Sequence, residues 1–181
     1  MPLLPWVISA RETLYETAVF SLCGHMAQSQ INSRKKGTFV YLDAPDWVNV
    51  IAITTDQEVV LIEQYRHGTQ KLTLEIPGGM CDPGEDFVIA AVRELREETG
   101  GIGTSAQVIG VVEPNPAIQN NRCATVLIRD VYLTTQELEG NEEITVHLYP
   151  LSEIPSLIRK ARITHALVVA AFQYFFLLEE T

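Results

Sequence analysis

Gly78-Gly79-Met80-Cys81-Asp82-Pro83-Gly84-Glu85, followed by Asp86-Phe87-Val88-Ile89-Ala90-Ala91-Val92 and then Arg93-Glu94-Leu95-Arg96-Glu97-Glu98-Thr99-Gly100, is the most informative stretch of the chain. Its first part holds three glycines and a proline and reads as a loop. Phe87 to Thr99 is predicted to be helical. Val88, Ala91, Val92 and Leu95 fall at i, i+3, i+4 and i+7 and form one apolar stripe. Glu94, Glu97 and Glu98 fall at i, i+3 and i+4, so their carboxylates converge on another face. Like charges at that spacing cost a helix a few tenths of a kcal/mol per pair. They also sit near the C-terminus, where the helix dipole disfavours anions. Two readings follow from the residues alone. One is a solvated acidic helix end. The other is a site for a hard divalent cation, which would turn the repulsion into binding because Mg²⁺ and Mn²⁺ favour carboxylate oxygens.

On either side of this stretch the pattern alternates between strands and helices. Val48 to Thr54 and Glu58 to Gln64 read as core strands joined by Thr55-Asp56-Gln57, and Leu72 to Ile76 as a strand ended by Pro77. Val108 to Val112, Ala124 to Leu133 and Ile144 to Leu148 are further strands. Ile154 to Arg159 is a short helix and Ile163 to Leu178 the final one. Upstream, Leu14 to Phe20 and Thr38 to Leu42, separated by the basic turn Ser33-Arg34-Lys35-Lys36-Gly37, suggest a β-meander. Asp43-Ala44-Pro45-Asp46 is turn chemistry and marks a boundary. The expected organisation is a β-meander over residues 1–43 and an α+β domain over 44–181, with a mixed sheet packed between helices.

The bulk properties fit. With 181 residues and 46% hydrophobic residues the chain is long and apolar enough for a sizeable core. A formal charge of −10 argues against non-specific nucleic-acid binding, which needs clustered Lys and Arg. It also means that any phosphate chemistry calls for bound cations. Cys23, Cys81 and Cys123 are far apart and odd in number, as expected of free thiols in a reducing cytoplasm. Met1 to Ala10 has no basic region before its short apolar stretch and is unlike a signal peptide. Ala166 to Leu178, the longest apolar run, is broken by Gln173 and too short for a bilayer, so no membrane partner is expected.

The spacing of Gly79, Glu85, Arg93-Glu94, Glu97-Glu98 and Gly100 resembles the Nudix box. Every fixed Gly, Glu and Arg position of that pattern is filled; the departure is Gly101, where a bulky apolar residue is usual. The resemblance implies a Nudix-type α/β/α sandwich around a mixed β-sheet, with an N-terminal antiparallel β extension. It implies a Mg²⁺-dependent pyrophosphohydrolase, with Mn²⁺ as the alternative metal. Glu94, Glu97, Glu98 and the Gly78 carbonyl would ligate metal, while Arg93 and Glu85 would form a structural pair that orients the carboxylates. Such ions bridge a diphosphate and lower the pKa of an attacking water.

Gln64-Tyr65-Arg66-His67-Gly68 and Leu74-Glu75-Ile76-Pro77-Gly78-Gly79 resemble the ADP-ribose and nucleoside-diphosphate-sugar branch. Pro116 lies sixteen residues beyond Gly100, and a proline at about that distance is associated in the family with ADP-ribose hydrolases, although the setting here is Glu113-Pro114-Asn115-Pro116-Ala117. The implied reaction takes ADP-ribose to AMP and ribose 5-phosphate, with Arg66, Glu75 and Pro116 on the substrate side. Arg66 alone reads equally as a phosphate ligand or as a surface or ion-paired arginine. Trp47 reads as an adenine platform or as packing, and Asn120, Asn121 and Arg122 as substrate contacts or loop braces. The family's general base comes from a late loop, which favours Glu142, then Glu139. His25, His67, His147 and His165 show no paired ligand spacing. Relatives in this branch dimerise through an N-terminal sheet, so a homodimer is expected. Alternative functions are a pyrophosphatase for another nucleotide sugar or dinucleotide, and a catalytically silent nucleotide sensor.

Overall fold

Alternation along three neighbouring strands decides which helix each side chain meets. In β5 (Trp47–Thr54), Val48, Val50 and Ala52 join one apolar cluster, while Ile51 and Ile53 join another. In β6 (Glu58–Arg66), Val60 belongs to the first cluster and Val59 and Leu61 to the second. In β11 (Cys123–Leu133), Ala124, Val126 and Ile128 take the first side and Leu127 the second. Helix α1 (Phe87–Thr99) covers the first side with Ala90, Ala91 and Leu95. Helices α2 (Ile154–Arg159) and α3 (Ala166–Glu179) cover the second with Ile154, Val168, Ala171, Phe172 and Phe175. Strands buried on both faces read as continuous apolar runs, which is why the sequence shows little alternation there. This is the expected α/β/α sandwich.

The computed structural model describes residues 2–138 and 140–180. The chain divides into two compact units, one comprising residues up to Pro45 with Glu113–Asn121, the other Asp46–Val112 and the chain from Arg122 onward. The larger unit contains an eight-stranded sheet whose main path is β10 (Ser105–Val112), β11, β5, β6 and β12 (Ile144–Pro150). β11 and β5 are parallel, with Val126 opposite Val50. β7 (Lys71–Glu75) pairs with β6, β8 (Gly78–Met80) with β5, and β9 (Gly101–Ile102) with β11. The smaller unit is a four-stranded antiparallel sheet built from β1 (Val7–Ile8), β2 (Glu12–Glu16), β3 (Ser21–Gln28) and β4 (Lys36–Asp43). Leu42 of β4 also makes a parallel bridge to Gln119.

Three local expectations need correction. Gly78–Met80, read as loop, is strand β8, because glycine content says nothing about the open edge that β5 offers it. Val92, placed in the inward stripe, is exposed, and Ala90 is buried instead. The helix is turned so that Ala91, Leu95 and Glu98 share the inward face, and the carboxylate takes a place that the pattern reserved for an apolar residue. The final helix starts at Ala166 and not at Ile163, since His165 has extended backbone (φ −67°, ψ 119°) and is its N-cap. Among the described residues no helix is long and apolar enough to cross a membrane.

Phe172 is fully buried at the centre of the second cluster. Phe172→Ala is expected to cost about 3–5 kcal/mol, the range for emptying a large aromatic site in a core, read from the midpoint of urea unfolding.

Candidate active site

Helix α1 is fixed at both ends by its own sequence. Asp86 caps it, accepting the Val88 N–H at 2.8 Å. Gly100 ends it in the left-handed conformation (φ 68°, ψ 14°), with its N–H on the Arg96 carbonyl at 2.8 Å. A side chain at Gly100 would also overlap the Thr134 carbonyl. Between these ends, β8 lies along the helix. A Cβ at Gly79 would overlap the Glu94 carboxylate, so only glycine lets that carboxylate approach the strand.

Arg93 is the hub of the site. Its Nε donates to Glu85 Oε1 at 3.1 Å, and Nη2 donates to Glu85 Oε2 at 3.0 Å and to the Met80 carbonyl at 2.9 Å. Nη1 donates to Glu94 Oε1 at 2.8 Å and to Glu97 Oε2 at 3.0 Å. A guanidinium has five N–H groups, and these contacts use all five. The bonds to Glu85 lead in holding Arg93 charged well beyond its ordinary range. Those same bonds keep Glu85 below the usual carboxylate range against the opposing effect of burial, helped by the Asp82 N–H at 2.9 Å.

Glu98 is only 4% exposed and accepts the Gly78 N–H at 2.8 Å. Burial pushes its pKa up to about 8; the Gly78 N–H pulls the other way, and the charges of Glu94 and Glu142 add to the rise. Glu94 is also raised, first by burial, with Arg93 opposing and Glu97 and Glu142 reinforcing. Glu142 itself is exposed, yet both carboxylates feel its charge. Glu139, the second candidate base, lies outside the described residues.

The donor set is therefore oxygen only: three carboxylates from one helix face, two of them disfavoured as anions by their surroundings. That chemistry fits a hard divalent cation. Among the described residues no three such side chains form a ready-made cage. Arg93 holds one oxygen each of Glu94 and Glu97, and Gly78 holds one of Glu98. The Gly78 N–H contact was not anticipated from sequence, where Gly78 figured for its carbonyl.

The loop after β11 grips the end of α1. Thr134 donates to the Gly100 carbonyl through its N–H at 2.8 Å and its hydroxyl at 2.7 Å. Gln136 Nε2 donates to the Glu98 carbonyl at 2.5 Å and the Ile144 carbonyl at 3.3 Å, and the Glu137 N–H to the Glu97 carbonyl at 2.9 Å. Sequence reasoning missed Gln136, which sits in a polar loop with no motif around it.

The flanking candidates separate. Arg66 and Glu75 bind each other in a fork, Nε to Oε1 at 3.0 Å and Nη2 to Oε2 at 2.8 Å, and the Thr73 hydroxyl adds a bond to Glu75 at 2.7 Å. This is the ion-paired alternative for Arg66. Burial alone would raise the Glu75 pKa; the bonds from Arg66 and Thr73 outweigh it and hold the group below its ordinary value. Trp47 opens β5 opposite Met80 and Cys123, half-buried. Asn120 binds Asp43 at 2.5 Å and Asn121 the Pro45 carbonyl at 3.0 Å, as loop braces do. Arg122 is paired with Asp46 and lies 5.2 Å over the Phe87 ring. Pro116 is exposed and belongs to the unit that contains the N-terminal sheet. Gly101 has no room for a side chain: a Cβ there would stand 2.8 Å from Leu95 Cγ and from Thr99 Oγ1.

A helix bearing Arg93 and three glutamates, laid against a glycine strand in an α/β/α sandwich, defines a class, and the chain matches the NUDIX domain family over residues 45–172. It belongs to that family. Its relatives include the ADP-ribose pyrophosphatase of Bacillus subtilis (strain 168), 24% identical over 172 residues, which are 94% of this chain and 92% of that protein. The methanol dehydrogenase activator of Bacillus methanolicus is 50% identical over 56 residues, 31% of this chain but only 30% of that protein. A solved structure described as an ADP compounds hydrolase superposes with a TM-score of 0.84 at 23% identity, covering 99% of this chain and 95% of that one, and so shares the fold. Within the family, the similarity falls on the ADP-ribose pyrophosphatase-like branch.

The Arg66–Glu75 fork carries a pH signature. Because the folded Glu75 pKa lies below the ordinary 4.5, its ionised form stabilises the fold above that value, and the contribution fades as pH falls through and below it. Glu75→Gln is expected to lower stability at neutral pH by about 1–2 kcal/mol, a modest figure because Arg66 is partly in water. Urea unfolding of both proteins should show the gap closing at acidic pH.

Proposed function

We propose that this chain hydrolyses the pyrophosphate bond of a nucleoside diphosphate derivative, with ADP-ribose, cleaved to AMP and ribose 5-phosphate, as the preferred substrate. The observation that carries the reading is the set of three helix carboxylates around Arg93 and the Gly78–Gly79 backbone. Glu94, Glu97, Glu98 and the Gly78 carbonyl would hold Mg²⁺, or Mn²⁺ in its place. When bound, such ions neutralise the diphosphate and acidify an attacking water. Arg93 fixes the direction of Glu94 and Glu97. Glu85 holds Arg93 in turn, so the metal-facing side chains are oriented before substrate arrives. Glu142 takes the proton of the attacking water. Arg66, with two nitrogens committed to Glu75, offers its remaining donors to a phosphate oxygen, and Glu75 keeps it in place. Pro116 and the names of the relatives favour ADP-ribose over other nucleoside diphosphate compounds.

A nucleotide sensor would have no need of the intact carboxylate set. The compartment that suits three buried free thiols is a reducing cytoplasm. The N-terminal sheet exposes Val7, Ile8, Tyr15, Phe39 and Val40, which supports a homodimer through that sheet.

Incubation with ADP-ribose and Mg²⁺ should yield AMP. Rapid turnover of another nucleoside diphosphate derivative with no AMP from ADP-ribose would sink the substrate assignment. Glu97→Gln and Glu98→Gln are each expected to lower kcat by about 100-fold or more with the circular dichroism spectrum unchanged. Light scattering should give twice the chain mass; a monomer at working concentration excludes the dimer.

A further inference from the structure

An α-helix leaves its last carbonyls without partners inside the helix. In α1 a single following segment supplies partners for Glu97, Glu98 and the cap residue Gly100. Thr134 serves Gly100, Glu137 serves Glu97, and Gln136 serves Glu98. Gln136 differs from the other two because its amide nitrogen carries two hydrogens. One goes to Glu98, at the end of the helix. The other goes to Ile144, the first residue of β12. The two bonds tie Gln136 both to the end of α1 and to the start of β12. Glu142 lies between Gln136 and Ile144 in sequence, two residues before the latter.

We infer that Gln136 is a positioning residue: by tying the helix end that carries Glu97 and Glu98 to the far end of the loop that carries Glu142, it sets where Glu142 stands over the carboxylates. The inference rests on reading Glu142 as the base. Glu142 does stand within electrostatic reach of Glu94 and Glu98, both of which respond to its charge. Two further ties join this segment to the helix: the Glu137 N–H to the Glu97 carbonyl at 2.9 Å, and Arg96 Nη2 to Glu137 Oε1 at 3.1 Å, the latter more than half exposed on both sides. Ion pairs of that kind contribute little. The amide bonds are part-buried, and they define both ends of the loop at once. Closing a short loop in this way removes the conformations in which its charged residue points elsewhere.

Gln136→Met keeps the length of the side chain and removes both donors; Gln136→Asn keeps the amide but is too short to span both carbonyls. Each is compared with Glu142→Gln and with the double variant Gln136→Met/Glu142→Gln, using ADP-ribose with saturating Mg²⁺. Alongside kinetics, hydrogen exchange at the Glu137 amide reports the latch itself. The expected result for Gln136→Met is a kcat lower by about 10- to 100-fold, with KM within about 3-fold and faster exchange at Glu137. Gln136→Asn should fall in the same direction, and the double variant should be no worse than Glu142→Gln alone. Arg96→Ala should leave kcat unchanged. Full kcat in both Gln136 variants, beside an impaired Glu142→Gln, would overturn the latch and leave the base assignment standing. Losses that multiply in the double variant would also overturn it, since Gln136 would then act on something other than Glu142. Undiminished kcat in Glu142→Gln would remove the base, and with it any latch acting through it.

Discussion

The Arg93 guanidinium holds the site together. A helix with Glu94, Glu97 and Glu98 near its C-terminus carries repulsion that neither propensity nor dipole relieves. Arg93 bonds two of those carboxylates, and it anchors itself through Glu85 and the Met80 carbonyl to the strand and loop that precede the helix. One planar cation thus joins three separate pieces of chain. A lysine could not do this, since it has three donors on a flexible stem and no fork.

The sandwich delivers the pieces to that cation. Period-two alternation in β5, β6 and β11 sends one set of side chains toward α1 and the other toward α2 and α3. β8 adds three residues at the entrance of β5 and so lays Gly78 and Gly79 against α1. Glu98 is buried on the same helix face as Ala91 and Leu95, and the backbone N–H of Gly78 is its partner. The core and the site share one surface of one helix. That explains why a carboxylate there is disfavoured as an anion, and why a bound cation would stabilise it.

Much of this is legible in sequence. Helix α1 has the bounds expected of it because its signals are local: an aspartate cap, a glycine stop and a run without breakers between them. The box residues Glu85, Arg93, Glu94, Glu97 and Glu98 gather because their spacing on a helix and its preceding loop obliges them to. What escaped depends on contacts between distant segments. β8 exists because β5 offers an edge. Arg66 reaches Glu75 along the β6–β7 pair, although the register sets Glu75 opposite Ile62 and Arg66 opposite Lys71, so the long guanidinium side chain spans the offset. The rotation of α1 that exposes Val92 is fixed by packing on the sheet. Gln136 finds two carbonyls from elements far apart in the chain. None of these has a periodic or motif signature.

Gly101 shows how a departure from a family pattern can be whole in three dimensions. Read one position at a time, the glycine looks like a missing apolar side chain. In the fold, Leu95 and Thr99 already occupy that volume. The space beside Gly101 is filled from the end of α1, by side chains six and two positions back in the chain. Leu95, Thr99 and Gly101 therefore share one volume, and growth at position 101 requires that a neighbour shrink or move aside.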